Sequence, residues 1–125
     1  MDTQQKKVLI VEDDQMNASL IAAVLEERGY NVLTAGDGDI GLEILAKDQE
    51  IAGVVTDIFM PNREGIGFIR AVKSRHAAVK IAAMTGAVNY ESIFSTAQDF
   101  GADYTIKKPF DIDEFADKID EMLKN

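Results

Sequence analysis

The sequence predicts an α/β domain, a doubly wound five-stranded parallel sheet with helices on both faces. Short apolar runs typical of β-strands alternate with segments of helical periodicity along the whole chain, which is the pattern of βαβ units. Four of these runs end on polar residues suited to chemistry, and the carboxyl ends of parallel strands meet at one edge of a sheet. Because 125 residues make about one domain, we expect a single domain over residues 1–125 with a single site.

The first half of the chain predicts a strand over residues 7–11, a helix ending at Gly29, a strand over 30–35, a helix over 40–47 and a strand over 53–56. Apolar residues recur at helical spacing in both helices; they are Met16, Leu20, Ile21, Val24 and Leu25 in the first, and Ile40, Ile44 and Leu45 in the second. The strand over 53–56 is almost wholly apolar. It should therefore be buried on both faces, in the centre of the sheet.

The second half continues the alternation with a helix, a strand over 80–84, a helix from about residue 89, a strand over 103–107 and a final helix. The apolar faces of the three helices are Phe68, Ile69 and Val72; Ile93, Phe94, Ala97 and Phe100; and Ile112, Phe115, Ala116, Ile119 and Leu123. Asp111 and Glu114 have the spacing of a capping box before the last helix.

Right-handed crossovers and short connections leave few arrangements for five parallel strands. We predict the flavodoxin-like order 2-1-3-4-5. In this order the first and third strands are neighbours at the point where the strand order reverses, so Asp13 and Asp57 should lie together although they are distant in the sequence.

Composition excludes several classes of protein. Thirteen Lys and Arg residues against 22 Asp and Glu give a formal net charge of −9, which repels nucleic-acid backbones and anionic membranes. The polar start over residues 1–7 is no signal segment, and no apolar run is long enough to cross a membrane. The absence of cysteine excludes disulfides and thiolate chemistry. We expect a soluble, cytoplasmic protein without direct nucleic-acid binding or membrane insertion.

The strand ends carry Glu12, Asp13, Asp57, Thr85 and Lys108. Three carboxylates at one edge repel one another, and a hard divalent cation such as Mg²⁺ relieves this repulsion with oxygen ligands. Such a metal can bridge a phosphoryl group while Lys108 and Thr85 contact its other oxygens. Asp57 would then be the nucleophile, because carboxylates form acyl phosphates in some phosphoryl transfers.

The alternative is that these acidic residues only cap the helices that follow the strands. Asp14 is expected to cap the first helix in this way. A single acidic residue after a strand is more often a cap or a solvated loop residue than a ligand. Four coincident strand ends favour the site.

Several short motifs occur in a fixed order: Glu12-Asp13-Asp14, Thr56-Asp57-Ile58-Phe59-Met60-Pro61 with Glu64-Gly65, Met84-Thr85-Gly86, Gly101-Ala102-Asp103 and Lys108-Pro109-Phe110. Together they resemble the receiver domain of two-component response regulators, in particular single-domain regulators of the chemotaxis kind. The resemblance implies a signalling protein and not an enzyme. Asp57 would accept a phosphoryl group from a sensor histidine kinase or a histidine phosphotransfer protein, and the change would alter contacts with a downstream protein.

The resemblance also implies roles for the individual site residues. It assigns Mg²⁺ to Asp13, Asp57 and the backbone carbonyl of Phe59, with Glu12 acting through water. Thr85 would be the hydroxyl that follows the phosphoryl group, Lys108 the ammonium that pairs with it, and the Lys108–Pro109 bond would be cis.

The chain departs from the family pattern in one respect that concerns switching. The aromatic residue that the family has three positions before the lysine is replaced by Thr105, and Tyr104 lies one position earlier. Since neighbouring residues of a strand point to opposite faces, the tyrosine ring should lie on the other side of the sheet.

Three other functions compete with this interpretation. A flavin-binding electron-transfer protein of the same fold would hold the flavin phosphate after the first strand, where Glu12, Asp13 and Asp14 would repel it. A metal-dependent phosphatase would need a second acid two residues after Asp57, where this chain has Phe59. A phosphorylation-independent interaction domain would be expected to lose site residues, whereas this chain retains all five.

Overall fold

The structure, a computed structural model, describes residues 6–59 and 65–124. Strands and helices alternate in the order β1 Lys7–Val11, α1 Gln15–Glu27, β2 Asn31–Ala35, α2 Gly38–Lys47, β3 Ile51–Asp57, α3 Gly65–Arg75, β4 Lys80–Thr85, α4 Tyr90–Asp99, β5 Tyr104–Lys107 and α5 Ile112–Leu123. This confirms the predicted alternation, with boundaries that differ by at most two residues. Met60, Pro61 and Glu64 of the quoted motifs lie outside the described residues. No helix in the two described stretches is long and apolar enough to cross a membrane.

The sheet has the predicted order β2-β1-β3-β4-β5, and all its strand pairs are parallel. The central strand is β3, in agreement with its apolar sequence. Val11 pairs with Thr56, and Asp57 pairs with Met84. The residues that follow β1, β3 and β4 therefore meet at the carboxyl edge of the sheet.

The core is divided by the sheet into two layers. Leu9 and Val54 face α2, α3 and α4, whereas Ile10 and Val55 face α1 and α5. This alternation follows from the two-residue period of a strand. Apolar residues on both faces of β1 and β3 hold these two strands in place, and with them the acidic residues at their ends.

Three helices begin with an aspartate that caps their backbone amides. Asp14 accepts hydrogen bonds from Met16 N and Asn17 N at 2.9 and 3.2 Å, which confirms its predicted role. Asp37 and Asp111 cap α2 and α5 in the same manner. Helix α4 differs, because Asn89 before it makes no capping hydrogen bond through its side chain.

Some residues that we predicted on buried helical faces are exposed, namely Met16, Leu20, Ile40 and Phe100. In α1 the buried stripe is formed by Ala18, Ile21 and Leu25. Successive helical residues are about 100° apart, so the apolar surface of α1 is wider than the contact that the sheet offers. The helix is rotated so that Met16 and Leu20 face outward.

The two candidate positions for a switching side chain on β5 face opposite layers, as predicted. Tyr104 pairs with Ala82 and packs in the layer of α1 and α5, where burial and the nearby Glu121 carboxylate raise the pKa of Tyr104. Thr105 pairs with Ala83, which belongs to the layer of α4. The tyrosine ring is therefore directed away from α4.

Candidate functional site

An acidic cluster lies where β1 and β3 end. Carboxylate oxygens of Glu12, Asp13 and Asp57 all lie within 4.8 Å of one another. Glu12 is buried, Asp57 is mostly buried and Asp13 is exposed. The strand order thus brings Asp13 and Asp57 together, as the predicted topology required. Three oxygen donors at this spacing, open to solvent through Asp13, fit a hard divalent cation such as Mg²⁺.

Lys108 reaches into this cluster from the end of β5. Its Nζ lies 3.2 Å from Glu12 Oε1 and 3.3 Å from Asp57 Oδ2. Burial alone would lower the pKa of Lys108, but the two carboxylates outweigh this effect, so the pKa is raised and the ammonium stays charged. The backbone amide of Lys108 donates to Thr85 O at 2.8 Å, and the Lys108–Pro109 bond is cis, as the resemblance implied.

Glu12 is the most deeply buried member of the cluster. Burial raises its pKa, and the Asp57 carboxylate adds to this, while the Asp14 backbone amide and Lys108 act in the opposite direction. One carboxylate oxygen accepts from Asp14 N at 3.2 Å and the other from Lys108 Nζ. These two bonds hold the side chain in a fixed orientation beside Asp57.

Thr85 ends β4 next to the cluster and is almost fully buried. Its hydroxyl oxygen accepts a hydrogen bond from Ala87 N at 3.2 Å, and its carbonyl accepts the one from Lys108 N. Within the described residues the hydroxyl proton has no acceptor. Thr85 is therefore placed to donate to a new oxygen at this edge of the sheet.

Phe59, the proposed source of a backbone ligand, follows Asp57 by two residues and has a half-exposed side chain. Its ring lines a groove of about 200 Å³ between α3 and α4, together with Ile58, Ile66, Ser92, Ile93 and Thr96. No polar side chain that could orient a water molecule is present at position 59, and Ala87 offers none in the loop after Thr85.

The sequence did not indicate one contact near the site. Lys107 Nζ lies 4.9 Å from the centre of the Tyr90 ring, close enough for a cation–π interaction. From the sequence, Tyr90 and Phe94 could form a surface for a partner, although apolar residues at helical spacing, Phe94 above all, more often belong to the core. In the structure the two rings meet edge to face at 5.7 Å, and Phe94 packs against the core. One signal in the sequence could have indicated the contact. Lys107 lies two residues after Thr105 on the same strand and therefore points to the same layer, that of α4.

Comparison with known proteins agrees with this geometry. The sequence model described as the response regulator receiver domain matches residues 8–120. The transcriptional regulatory protein CpxR of Escherichia coli K12 is 30% identical over 118 residues, covering 94% of this chain and 49% of CpxR. DltR of Streptococcus agalactiae, also a transcriptional regulatory protein, is 36% identical over 115 residues, covering 90% of this chain and 50% of its own.

Solved structures show the same likeness. The chemotaxis response regulator CheY4 of Vibrio cholerae superimposes with a TM-score of 0.88 at 26% identity, over 96% of this chain and 100% of that one. The present chain spans about half the length of the curated relatives described above.

Proposed function

Since the chain belongs to the family of response regulator receiver domains, we propose that it is a phosphoryl-accepting signalling domain and that Asp57 is its acceptor. One observation carries the proposal. Lys108 Nζ bridges Glu12 and Asp57 at 3.2 and 3.3 Å, so a cation already lies beside the carboxylate that would gain a doubly charged group.

The transfer itself is a displacement at phosphorus. A carboxylate oxygen of Asp57 attacks the phosphorus of a phosphohistidine on a sensor histidine kinase or a histidine phosphotransfer protein. An O–P bond forms as the P–N bond breaks, and the electron pair of that bond returns to the donor imidazole. The product is an acyl phosphate on Asp57.

Two residues stabilise the charge that arrives with the phosphoryl group. Lys108 can exchange its present bond to the Asp57 carboxylate for one to a phosphoryl oxygen on the same side chain, because its ammonium already lies 3.3 Å from Asp57 Oδ2. Thr85 has a hydroxyl proton available and can donate it to another phosphoryl oxygen. That bond draws Thr85 and its loop toward Asp57 and so starts the conformational change.

The acidic cluster is the proposed site of Mg²⁺. Asp13, Asp57 and the Phe59 backbone carbonyl would hold the ion directly, and Glu12 would act through water. Bound Mg²⁺ supplies positive charge that offsets the repulsion between the carboxylates and the incoming phosphoryl oxygens. Asp13, the exposed member, adds to that repulsion as long as no cation is present.

The output is a change in protein contacts. We propose that the conformational change alters binding to a downstream protein. CpxR and DltR are transcriptional regulators about twice as long as this chain.

Acetyl phosphate labelling tests the proposal. We expect acetyl phosphate with Mg²⁺ to add one phosphoryl group to the chain, mapped to Asp57 by mass spectrometry, and none to Asp57→Asn. EDTA should abolish labelling, because the carboxylates then repel the donor. Full labelling of Asp57→Asn would refute the acceptor. Full labelling in EDTA would refute the metal dependence, and a total absence of labelling would favour the phosphorylation-independent interaction domain.

A further inference from the structure

The first turn of α4 has fewer and longer hydrogen bonds than the first turns of the capped helices α1, α2 and α5. Its N-cap residue, Asn89, makes no side-chain capping bond. Its first backbone hydrogen bond, from Ile93 N to Asn89 O, is 3.5 Å long, whereas the corresponding bonds of α1, α2 and α5 measure 2.9, 3.0 and 2.9 Å. Ala97 is its one fully buried residue. An element with so few stabilising contacts needs little energy to move.

Tyr90, the first residue of α4, supplies contacts in place of a cap. The ammonium of Lys107 lies 4.9 Å from the centre of its ring, and the Phe94 ring packs against it in a T-shaped arrangement with 5.7 Å between the ring centres. Lys107 Nζ also donates to Lys108 O at 3.2 Å, which fixes the ammonium against the end of β5. The Lys107 ammonium therefore links the start of α4 to the end of β5.

Lys107 lies on the strand next to Thr85, at the same edge of the sheet as the site. Thr85 and Lys107 are paired residues of β4 and β5, and residues 86–89 form the short loop from Thr85 to Tyr90. Ala87 N in this loop donates to the Thr85 hydroxyl. Four residues therefore connect Thr85 to Tyr90, so a displacement of Thr85 toward Asp57 would pull on the start of α4.

We propose that the Lys107–Tyr90 contact is a latch that fixes the start of α4 in the unphosphorylated protein and opens when Asp57 is phosphorylated. The inference rests on the proposed function and adds the way in which the site is regulated. A contact present in one state only biases the equilibrium toward that state. An exposed cation–π contact of this kind changes an equilibrium constant by about two- to five-fold.

Removal of the latch should therefore favour the phosphorylated form. With Mg²⁺ present, we expect Lys107→Met and Tyr90→Leu each to bind beryllofluoride, a phosphoryl mimic, about two- to five-fold more tightly than the wild type. The double variant should gain no more than either single variant, since both remove the same contact. Tyr90→Phe keeps the aromatic face and should behave as the wild type. Lys80→Met, which removes an exposed cation at the opposite edge of the sheet, is the matched control.

Affinities can be read from amide chemical shifts during a beryllofluoride titration. Incorporation of fluorotyrosine adds a direct probe, because the chain has three tyrosines and the Tyr90 signal is identified by its loss in Tyr90→Phe. In the wild type this signal should shift with beryllofluoride. In Lys107→Met part of that shift should already be present without it, because a two- to five-fold change in the equilibrium constant moves only part of the population.

Different results would refute the latch and the proposed function. Equal affinities of the wild type, Lys107→Met and Tyr90→Leu would refute the latch, as would single effects that multiply in the double variant. Beryllofluoride binding that persists unchanged in Asp57→Asn, or its absence from the wild type, would instead refute the proposed function.

Discussion

Replacing Asp13 with asparagine should stabilise the protein without metal and destabilise it, relative to wild type, with Mg²⁺. Within the described residues Asp13 forms neither an ion pair nor a hydrogen bond, and Lys108 pairs with Glu12 and Asp57 instead. In the absence of a cation Asp13 therefore contributes mainly repulsion. Asparagine has nearly the same shape, so the change removes charge and little else.

The size of the effect follows from the spacing of the carboxylates. At the 4.8 Å limit that encloses the cluster, two unit charges repel by roughly 1 kcal/mol in water-like surroundings. Asp13 meets two such charges, and the Lys108 ammonium that bridges them offsets part of their repulsion. A favourable interaction of about 0.3–1 kcal/mol with the N-terminus of α1 is lost at the same time. The net gain is at most about 1 kcal/mol, which for a domain of this length raises the melting temperature by up to about 4 °C.

Magnesium should reverse the difference in stability, so that the wild type becomes more stable than Asp13→Asn. At a concentration 100 times its dissociation constant, a ligand that binds only the folded state stabilises it by about 2.7 kcal/mol. The wild type should gain this stabilisation and Asp13→Asn only a small part of it. Thermal unfolding in EDTA and in a magnesium titration measures both effects.

Glu43→Gln, which removes one exposed carboxylate from α2, controls for the change in net charge. If Asp13→Asn melts no higher than Glu43→Gln in EDTA, the repulsion argument fails. If both variants respond to Mg²⁺ as the wild type does, Asp13 is not a ligand.

Two further predictions concern the lifetime of the acyl phosphate and the packing behind the site. Because neither Phe59 nor Ala87 can orient a water molecule for in-line attack, the phosphorylated wild type should lose its label slowly, and Phe59→Asn combined with Ala87→Glu should lose it faster; equal decay rates after donor removal would contradict this. Gly65→Ala should destabilise the protein by about 1–3 kcal/mol in denaturant unfolding, since the new Cβ would lie 2.4 Å from the Ile58 backbone. Gly67→Ala, in open space on the same helix, should instead stabilise it by up to about 1 kcal/mol.

Local signals in the sequence were sufficient for most of the fold. The apolar runs and the helical periodicity predicted every element, and Asp14 could be identified as a cap because capping depends on residues two or three positions away. The strand order followed from the rules for parallel connections. That order placed Asp13 beside Asp57, and the structure has them within 4.8 Å. The chemical roles of these residues stay predictions.

The packing between elements could not be predicted from such local signals. Met16 and Leu20 fit the apolar face of α1 as well as Ile21 does, and only the area offered by the sheet determines which stripe is buried. The Lys107–Tyr90 contact joins residues 17 positions apart in two elements, and no periodicity within either element reports on it.

The sequence by itself determined the order of strands and helices, the helix caps and the chemical types gathered at one edge of the sheet, because these depend on short-range patterns and on topology. Only the tertiary structure decided that Glu12 is buried, that one ammonium bridges Glu12 and Asp57, and that Lys107 contacts Tyr90 at the start of α4. Burial and side-chain distances arise from how several elements pack against one another at once, and a linear pattern does not carry that information.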